Sequence, residues 1–438
     1  MFLNLPDEVI LIIAQELPLQ CDRYNLVLSC RRMHAVLLPT LYSWVSFGRG
    51  YKHTVGKVSR FFNTIARNPK LADAVRYLSL YYWETADSEV EIDCELKYDE
   101  KLIDGLVAGT IWSEQPKEQL QLGNTDAWLA LLIPQLKSLR KIDIVWPSDE
   151  TEYVDNMFTK AGNGHIPVFP YLEEAFAGWW DTENSIHSSC MDPFFKFPAM
   201  RKLRGASILD CGREKEADEP RITPFSGITD IDLDNSNTEC GFGEWIESCK
   251  SLKSFRLQAG GGLVSDGPAL LLEPLRESLS LHKATLEAVE IHGEPGNSAG
   301  FGDGWLGSFV DFHALKFLRI SLPTIAREED KPQIAHDLRT LLPSSLQTLS
   351  LCNCDHLSVE WVVDQFDGLL DSRYFPRLTY LALEGCIRVN TLEATQSEEK
   401  RQLQTLRHKC GEAGIQFVDY YTNGWRDFDK ILSLWPRT

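Results

Sequence analysis

The 438 residues contain no run of about 18 apolar residues, so nothing reads as a membrane-spanning helix. Bases are short relative to acids, 44 Lys and Arg against 63 Asp and Glu, a formal net charge of −19. Phosphate neutralisation and docking on an anionic bilayer both need clustered positive charge, so neither nucleic acid nor membrane is expected as a partner. There is no C-x-x-C pair and no H-E-x-x-H, which removes familiar zinc-site and metalloprotease signatures. The glycine stretches at 260–262 and 293–304 do not supply the Lys and Ser/Thr that a phosphate-cradling loop needs at fixed positions, and they read as loops. The ten His show no ligand spacing. No active site, metal or cofactor is therefore expected. The opening MFLNLPDEV has no basic segment of the kind that starts a signal peptide. With 11 irregularly spaced Cys, this predicts reduced thiols and a cytoplasmic and/or nuclear protein.

Apolar residues make up 43% of the chain, enough for a large core and too many for a disordered one. Residues 5–42 read as three short helices. Pro6 suits a first helical position, and Asp7 and Glu8 follow at the positive end of the helix dipole. Ile10, Ile13 and Leu17 share a face, with Val9 and Ile12 beside it, and Pro18 stops the helix. A second helix runs from about Asp22 to Cys30, and a third from Arg31 to Leu38, ending at Pro39. So much apolar surface cannot be buried within about 40 residues, so it packs either on the rest of the chain or on a partner.

The ordered set Leu5-Pro6-x-Glu8, Ile10, Ile13, Leu17-Pro18, Asp22, Leu26, Leu28, Cys30-Arg31-Arg32 and Leu41-Tyr42 resembles an F-box. Ser29 and Met33 depart from the usual Val and aromatic. The resemblance implies docking on the Skp-family adaptor of a cullin–RING ubiquitin ligase. It assigns Leu5, Pro6, Ile10, Ile13, Leu17, Leu26 and Leu28 to the adaptor.

Further on, a segment of form L-x-x-L-x-x-L-x-L recurs, as in LKSLRKIDI (136–144), CKSLKSFRL (249–257) and FPRLTYLAL (375–383). The last apolar position of each copy falls at 80, 144, 177, 205, 233, 257, 291, 320, 351, 383 and 417. From 144 onward the steps are 24 to 34 residues, about 30 on average. The first step, 64, hides either a degenerate repeat or an insertion. The pattern resembles a leucine-rich repeat array. That resemblance implies an α/β solenoid with a curved parallel sheet, L-x-L pairs pointing inward, alternate residues on a concave face and helices on the convex side. Cys354 and Cys386, each three residues after the last strand Leu, match a cysteine-containing subtype and read as structural. Trp128, Trp245, Trp305 and Trp361 fall near the starts of the predicted convex helices and read as packing.

The expected plan is an F-box at 1–45, a helical connector at 46–70 and a leucine-rich repeat domain at 71–438, with an acidic loop at about 84–104. That loop holds nine acids and two bases. Residues after about 421, with Trp425, Phe428, Leu432 and Trp435, are expected to cap the array as an amphipathic helix. Candidate target-binding residues are Tyr81, Trp83, Trp146, Trp179 and Trp180, an aromatic cluster just past the early strands, with Arg256 and Arg319 on the outward strand positions. The chain is similar to the fungal-type F-box/leucine-rich repeat family. The resemblance implies the substrate-recognition subunit of an SCF-type (Skp–cullin–F-box) ligase, joining the adaptor to a target protein. The alternative is a non-catalytic interaction scaffold whose F-box-like helices cap its own solenoid.

Overall fold

The computed structural model describes residues 5–17, 19–48, 54–81, 83, 85, 96–107, 115–147, 151–166, 169–181, 184–211, 223–260, 270–293, 305–325, 337–354, 359–370, 373–384 and 393–419. Most of the acidic stretch, Gly261 and Gly262, Cys386 and the proposed cap after 421 lie outside these residues. The chain divides into two compact units. The first is 1–180 with 190–201, and the second is 181–189 with 202–438.

The first unit opens with α1 (Asp7–Glu16), α2 (Gln20–Ser29) and α3 (Arg31–Tyr42). They share a small core of Ile10, Ala14, Val27, Met33 and Leu37. Arg32 Nη2 donates to the Leu5 carbonyl and to Asp7 Oδ1, both at 2.6 Å, and so ties α3 to the start of α1. Arg23 donates to the carbonyls of Leu17 and Gln15 at 3.1 Å, capping acceptors that the end of α1 leaves open. The third helix does not stop at Pro39, as the sequence suggested, but runs through it to Tyr42. Ala35 and Pro39 are both exposed, so the missing backbone hydrogen bond falls where water reaches the carbonyl.

A strand the sequence reading missed follows at once, β1 (Trp44–Phe47), then α4 (Thr54–Arg67), α5 (Pro69–Ala72) and β2 (Tyr77–Leu80). The connector at 46–70 is therefore helical only in part, because the first strand already begins before it. Gly48 closes β1 at a φ of +91°, and a Cβ there would sit on the Tyr81 carbonyl, so only glycine fits. Next come α6 (Glu100–Val107), α7 (Gln115–Gln121), α8 (Thr125–Leu132), β3 (Lys141–Trp146), α9 (Tyr153–Gly162) and β4 (Glu174–Trp179). Strand β2 pairs directly with β3, Leu80 beside Ile144, so the 64-residue step is a helical insertion and not a hidden repeat. All three pairings from β1 to β4 are parallel.

The second unit holds β5 (Ile186–His187), β6 (Lys202–Ala206), β7 (Ile208–Asp210), β8 (Asp230–Thr238), α10 (Gly243–Ser248), β9 (Ser254–Ala259), α11 (Leu272–Ser280) and β10 (Ala288–Gly293). It continues with β11 (Phe317–Ser321), α12 (Leu338–Leu341), β12 (Thr348–Cys352), α13 (Val359–Leu369), β13 (Tyr380–Leu383), α14 (Glu393–Glu412) and β14 (Gln416–Asp419). The order β6-β8-β9-β10-β11-β12-β13-β14 is parallel throughout. A bulge at 233–236, with Asn235 at positive φ, lets β8 continue past it to pair with β7, which also pairs with β5. The register carries one correction. Leu383 stands beside Asp419, so Phe417 matches Leu381 rather than closing the series of final apolar positions. Trp128, Trp245 and Trp361 lie in helices as expected, but Trp305 precedes no described helix and donates its Nε1–H to the Ile325 carbonyl at 3.0 Å.

Two buried aspartates join successive repeats. Asp126, on α8, accepts from the backbone N–H groups of Glu152, Tyr153 and Val154 at 2.8, 2.8 and 2.9 Å, the unpaired donors at the start of α9. Asp210 accepts from Phe242 N at 2.8 Å and Thr238 Oγ1 at 2.6 Å at the entry to α10. Burial pushes the Asp126 carboxyl up to about 6, with the three backbone donors opposing it. Its ordinary value is about 3.9, so between those values the folded chain holds a proton that the unfolded chain releases, and stability falls as pH rises. Wild type should therefore lose stability relative to Asp126→Asn between about pH 4 and pH 6, by at most about 3 kcal/mol. Denaturant unfolding of both proteins across that range checks it. A difference that stays flat or grows with pH contradicts it.

Candidate functional site

In the first unit the three-helix core leaves apolar side chains outside. Ile12 is 58% exposed and Leu28 59%, with Val9, Leu19 and Tyr24 also exposed. The F-box assignment divides accordingly. Ile10 is fully buried among the helices' own residues, so it presents nothing to an adaptor. Leu5 and Leu26 are half-buried against the same core, Ile13 and Leu17 are half-buried, and Pro6 and Leu28 are exposed. Ile12 was not among the assigned positions, although its place beside the Ile10–Ile13 face was legible.

The strands of this unit carry an aromatic face at a different place from the one expected. Trp44, 46% exposed, packs beside Tyr77 with ring centroids 5.2 Å apart. Lys141 Nζ lies 5.3 Å from the centre of the Tyr77 ring and 2.9 Å from Glu174 Oε1. The Tyr77 hydroxyl donates to Asp143. Trp44, Tyr77, Lys141 and Glu174 occupy matching positions on adjacent strands, and Asp143 lies two residues further along β3. Of the predicted cluster, Tyr81 and Trp179 are half-buried and Trp180 is exposed. Trp83 and Trp146 are interior: Trp83 Nε1 donates to the Val145 carbonyl at 2.8 Å, and Trp146 Nε1 to Asp155 Oδ1 at 3.2 Å. The reason for Trp146 is parity. Strand β3 runs on to 146, two residues past Ile144, so alternation turns this side chain inward.

In the second unit the outward positions form a charge ladder. Parallel register lines up Arg204, Asp232, Arg256, Glu290, Arg319, Ser350, Ala382 and Val418, one per strand. Signs alternate along the first five. Arg256 Nη1 lies 2.7 Å from both Asp232 and Asp234, and its Nε lies 3.3 Å from Glu290 Oε1. Arg319 Nη1 lies 2.8 Å from Glu290 Oε1, and its Nη2 lies 2.9 Å from Glu384 Oε2. His292 Nε2 lies 2.9 Å from the same Glu290 oxygen, and Ser350 donates to Glu384 at 3.1 Å. Burial alone would raise the Glu290 carboxyl. The His292 hydrogen bond and the Arg319 and Arg256 charges outweigh it and bring Glu290 down to about 2. Arg319 is 1% exposed, so it braces the sheet and offers no contact to a target. Arg256 is mostly enclosed by three carboxylates. Sequence reading named both arginines as outward, which they are. It could not see that their neighbours in the row are their ion-pair partners.

Residues 166–397, more than half of the chain, match the family described as leucine-rich repeat domain. The chain belongs to that family. No curated protein matches the sequence. As a leucine-rich repeat protein it has a fold that stacks repeats and binds other proteins on the surface they share. Among the described residues no helix is long and apolar enough to cross a membrane, and no group of three or more His, Cys, Asp or Glu could hold a metal ion.

Breaking a buried ion pair leaves an uncompensated charge and costs about 3–5 kcal/mol. Arg319→Met should lower unfolding stability by about that amount, because Glu290 and Glu384 lose their shared cation. The double substitution Glu290→Met/Arg319→Met should recover part of the loss. A folded state depressed in carboxyl pKa keeps its advantage above the ordinary Glu value of about 4.3 and loses it as pH falls toward 2. Denaturant unfolding of the three proteins at pH 7 and pH 3.5 checks this. A single variant as stable as wild type at pH 7 contradicts it.

Proposed function

We propose that this leucine-rich repeat chain is the substrate-recognition subunit of an SCF-type ubiquitin ligase. Helices α1–α3 dock a Skp-family adaptor, and the repeats hold a target protein. The chain contributes proximity and orientation, and carries out no bond-making chemistry of its own. The observation that carries this is the helical module itself. It builds a complete core from Ile10, Ala14, Val27, Met33 and Leu37 and still leaves Val9, Ile12, Leu19 and Leu28 outside. Exposed apolar side chains clustered on one small module are characteristic of a docking surface. The adaptor contacts are then Pro6 and Leu28 from the resemblance, with Ile12 and Leu19 added. Leu5, Ile13, Leu17 and Leu26 contribute their exposed edges. On the repeats, Trp44, Tyr77, Tyr81, Trp179 and Trp180 are the aromatic candidates for target contact.

A second reading, a scaffold whose helices cap its own repeats, is favoured by the junction. Tyr42 stacks on Phe61 with centroids 6.0 Å apart, and the Ser43 carbonyl accepts from Arg76 N at 2.9 Å and Tyr77 N at 3.0 Å. One experiment separates the two readings. Under the first, the purified chain binds a Skp-family adaptor at micromolar concentration. Ile12→Asp/Leu28→Asp weakens that binding at least tenfold and leaves the melting temperature unchanged, since both side chains are in water already. Absence of wild-type binding sinks the ligase reading. If removal of residues 1–43 then also destabilises the repeats, the scaffold stands.

A further inference from the structure

A buried histidine stands where two repeats of the second unit meet. The His282 carbonyl accepts from Leu286 N at 2.8 Å, the place that Phe312 and Phe375 fill in later copies, where their carbonyls accept from Leu315 N and Leu378 N. His282 is as buried as those phenylalanines, 5% exposed against 4% for each. A buried ring with two polar nitrogens needs a partner for each, and this one finds both in the preceding repeat. Nε2 lies 2.8 Å from the Ile246 carbonyl near the end of α10, and Leu252 N donates to Nδ1 at 3.3 Å from the turn before β9. A carbonyl only accepts and an amide N–H only donates, so the partners dictate one form of the ring, protonated at Nε2 and bare at Nδ1. Thr285 Oγ1 donates to the Leu252 carbonyl at 2.8 Å and ties the same two turns a second time.

We propose that His282 is a proton-operated joint between repeats: the neutral ring locks the 282–286 turn to α10 and to the turn before β9, and a further proton on the ring releases it. A proton on Nδ1 turns the acceptor of the Leu252 amide into a donor facing a donor, and it places a charge in a buried site. The charged groups on the elements packed here are Glu247 on α10, Lys250 and Lys253 in the turn, Glu277 on α11 and Lys283 next in the chain, all at half-buried or exposed positions. Cys249 also titrates, but burial pushes its thiol up to about 12, so it stays neutral. Burial holds the imidazole below its ordinary value of 6.5, and the Ile246 carbonyl, which favours the charged ring, opposes this without prevailing. A base held below its ordinary value contributes its full stability above about pH 6.5 and loses it as pH falls. The joint lies at the foot of β9 and β10, the strands that carry Arg256 and Glu290, so acid loosens the support beneath the middle of the charge ladder. The joint acts whichever partner the repeats hold.

Amide hydrogen exchange of the full chain tests this, read on peptides covering Lys250–Ser254 and corrected for the intrinsic rate at each pH. Protection at the Leu252 amide should fall about tenfold between pH 7.5 and pH 5, with a ceiling of about 30-fold set by the ordinary His value. His282→Gln can donate to the Ile246 carbonyl and accept from Leu252 N without titrating, so it should show no such fall. Constant wild-type protection overturns the proposal, and so does an equal fall in the variant. If the variant does not fold, nitrogen chemical shifts of the labelled wild-type histidines decide the matter. The His282 ring should keep a single proton, on Nε2, to well below pH 6.5. A ring that holds both protons at pH 7, or holds its one proton on Nδ1, overturns the proposal.

Discussion

Parallel strands stacked in register put the same position of successive repeats into one row, with neighbours about 4.8 Å apart. Each row must therefore be compatible with itself. Inward rows of Leu, Ile, Val and Ala meet that condition easily. Outward rows do not, because like charges at that spacing repel. In the second unit the conflict is resolved by alternation, Arg204, Asp232, Arg256, Glu290, Arg319. Asp232, Arg256 and Glu290 each have opposite charges on both flanks, and Arg204 and Arg319 on one. A shift of one repeat in the stacking would put like beside like, so the ladder also specifies the order in which repeats can pack.

The same ladder sets what the face can do. A row whose cations are satisfied by their neighbours has little left for a visitor. Arg319 shares Glu290 and Glu384, and Arg256 shares Asp232, Asp234 and Glu290. Their burial makes each pair stronger than a surface pair and makes the loss of one member costly. Charge at a repeat position is therefore a poor guide to binding when the next strand carries the opposite sign. In the first unit the matching face is less closed. Trp44 is at its edge with half its surface in water, and Lys141 sits over Tyr77 within reach of Glu174. Aromatic and cationic groups that are close but not enclosed are the more plausible points of contact with a protein.

The repeat period was legible because alternation and spacing are local properties. Each of the eleven final apolar positions, from Leu80 to Phe417, falls in an observed strand. What failed was whatever depended on where a strand stops or what lies beside it. Strand β1 was missed because Trp44-Val-Ser-Phe47 has no L-x-L pair and follows an F-box-like ending, although a step of 33 back from Leu80 lands on Phe47. Trp146 belongs to β3 and not to the segment just past it, because the strand runs two residues beyond the last apolar position of its copy. Asp419 displaced Phe417 in the register because a terminal strand carries an outlying polar residue where earlier copies have Leu. The F-box resemblance assigns Ile10 to a partner, but a matched motif position does not say which of two apolar neighbours the side chain meets, and Ile10 meets the helices' own core. The arginine–carboxylate partners in the ladder are 22 to 65 residues apart in sequence, beyond any local pattern.

The join between helices and repeats bears on both readings of function. Helix α3 ends at Tyr42, and β1 begins at Trp44, with Ser43 alone between them. Ser43 is held by two hydrogen bonds from β2 and its neighbourhood, and Tyr42 is held by Phe61. A flexible linker would let a docked module swing through a volume that grows with linker length, diluting whatever the repeats hold. One ordered residue removes that freedom. If α1–α3 grip an adaptor, then the first strands are carried at a fixed angle to it, and the aromatic face on β1 and β2 moves with the grip as one body. Capping and docking are then two uses of the same rigidity. The inner side of α3 supports β1 and α5, while the outer sides of α1 and α2, with Ile12 and Leu28, remain to be covered.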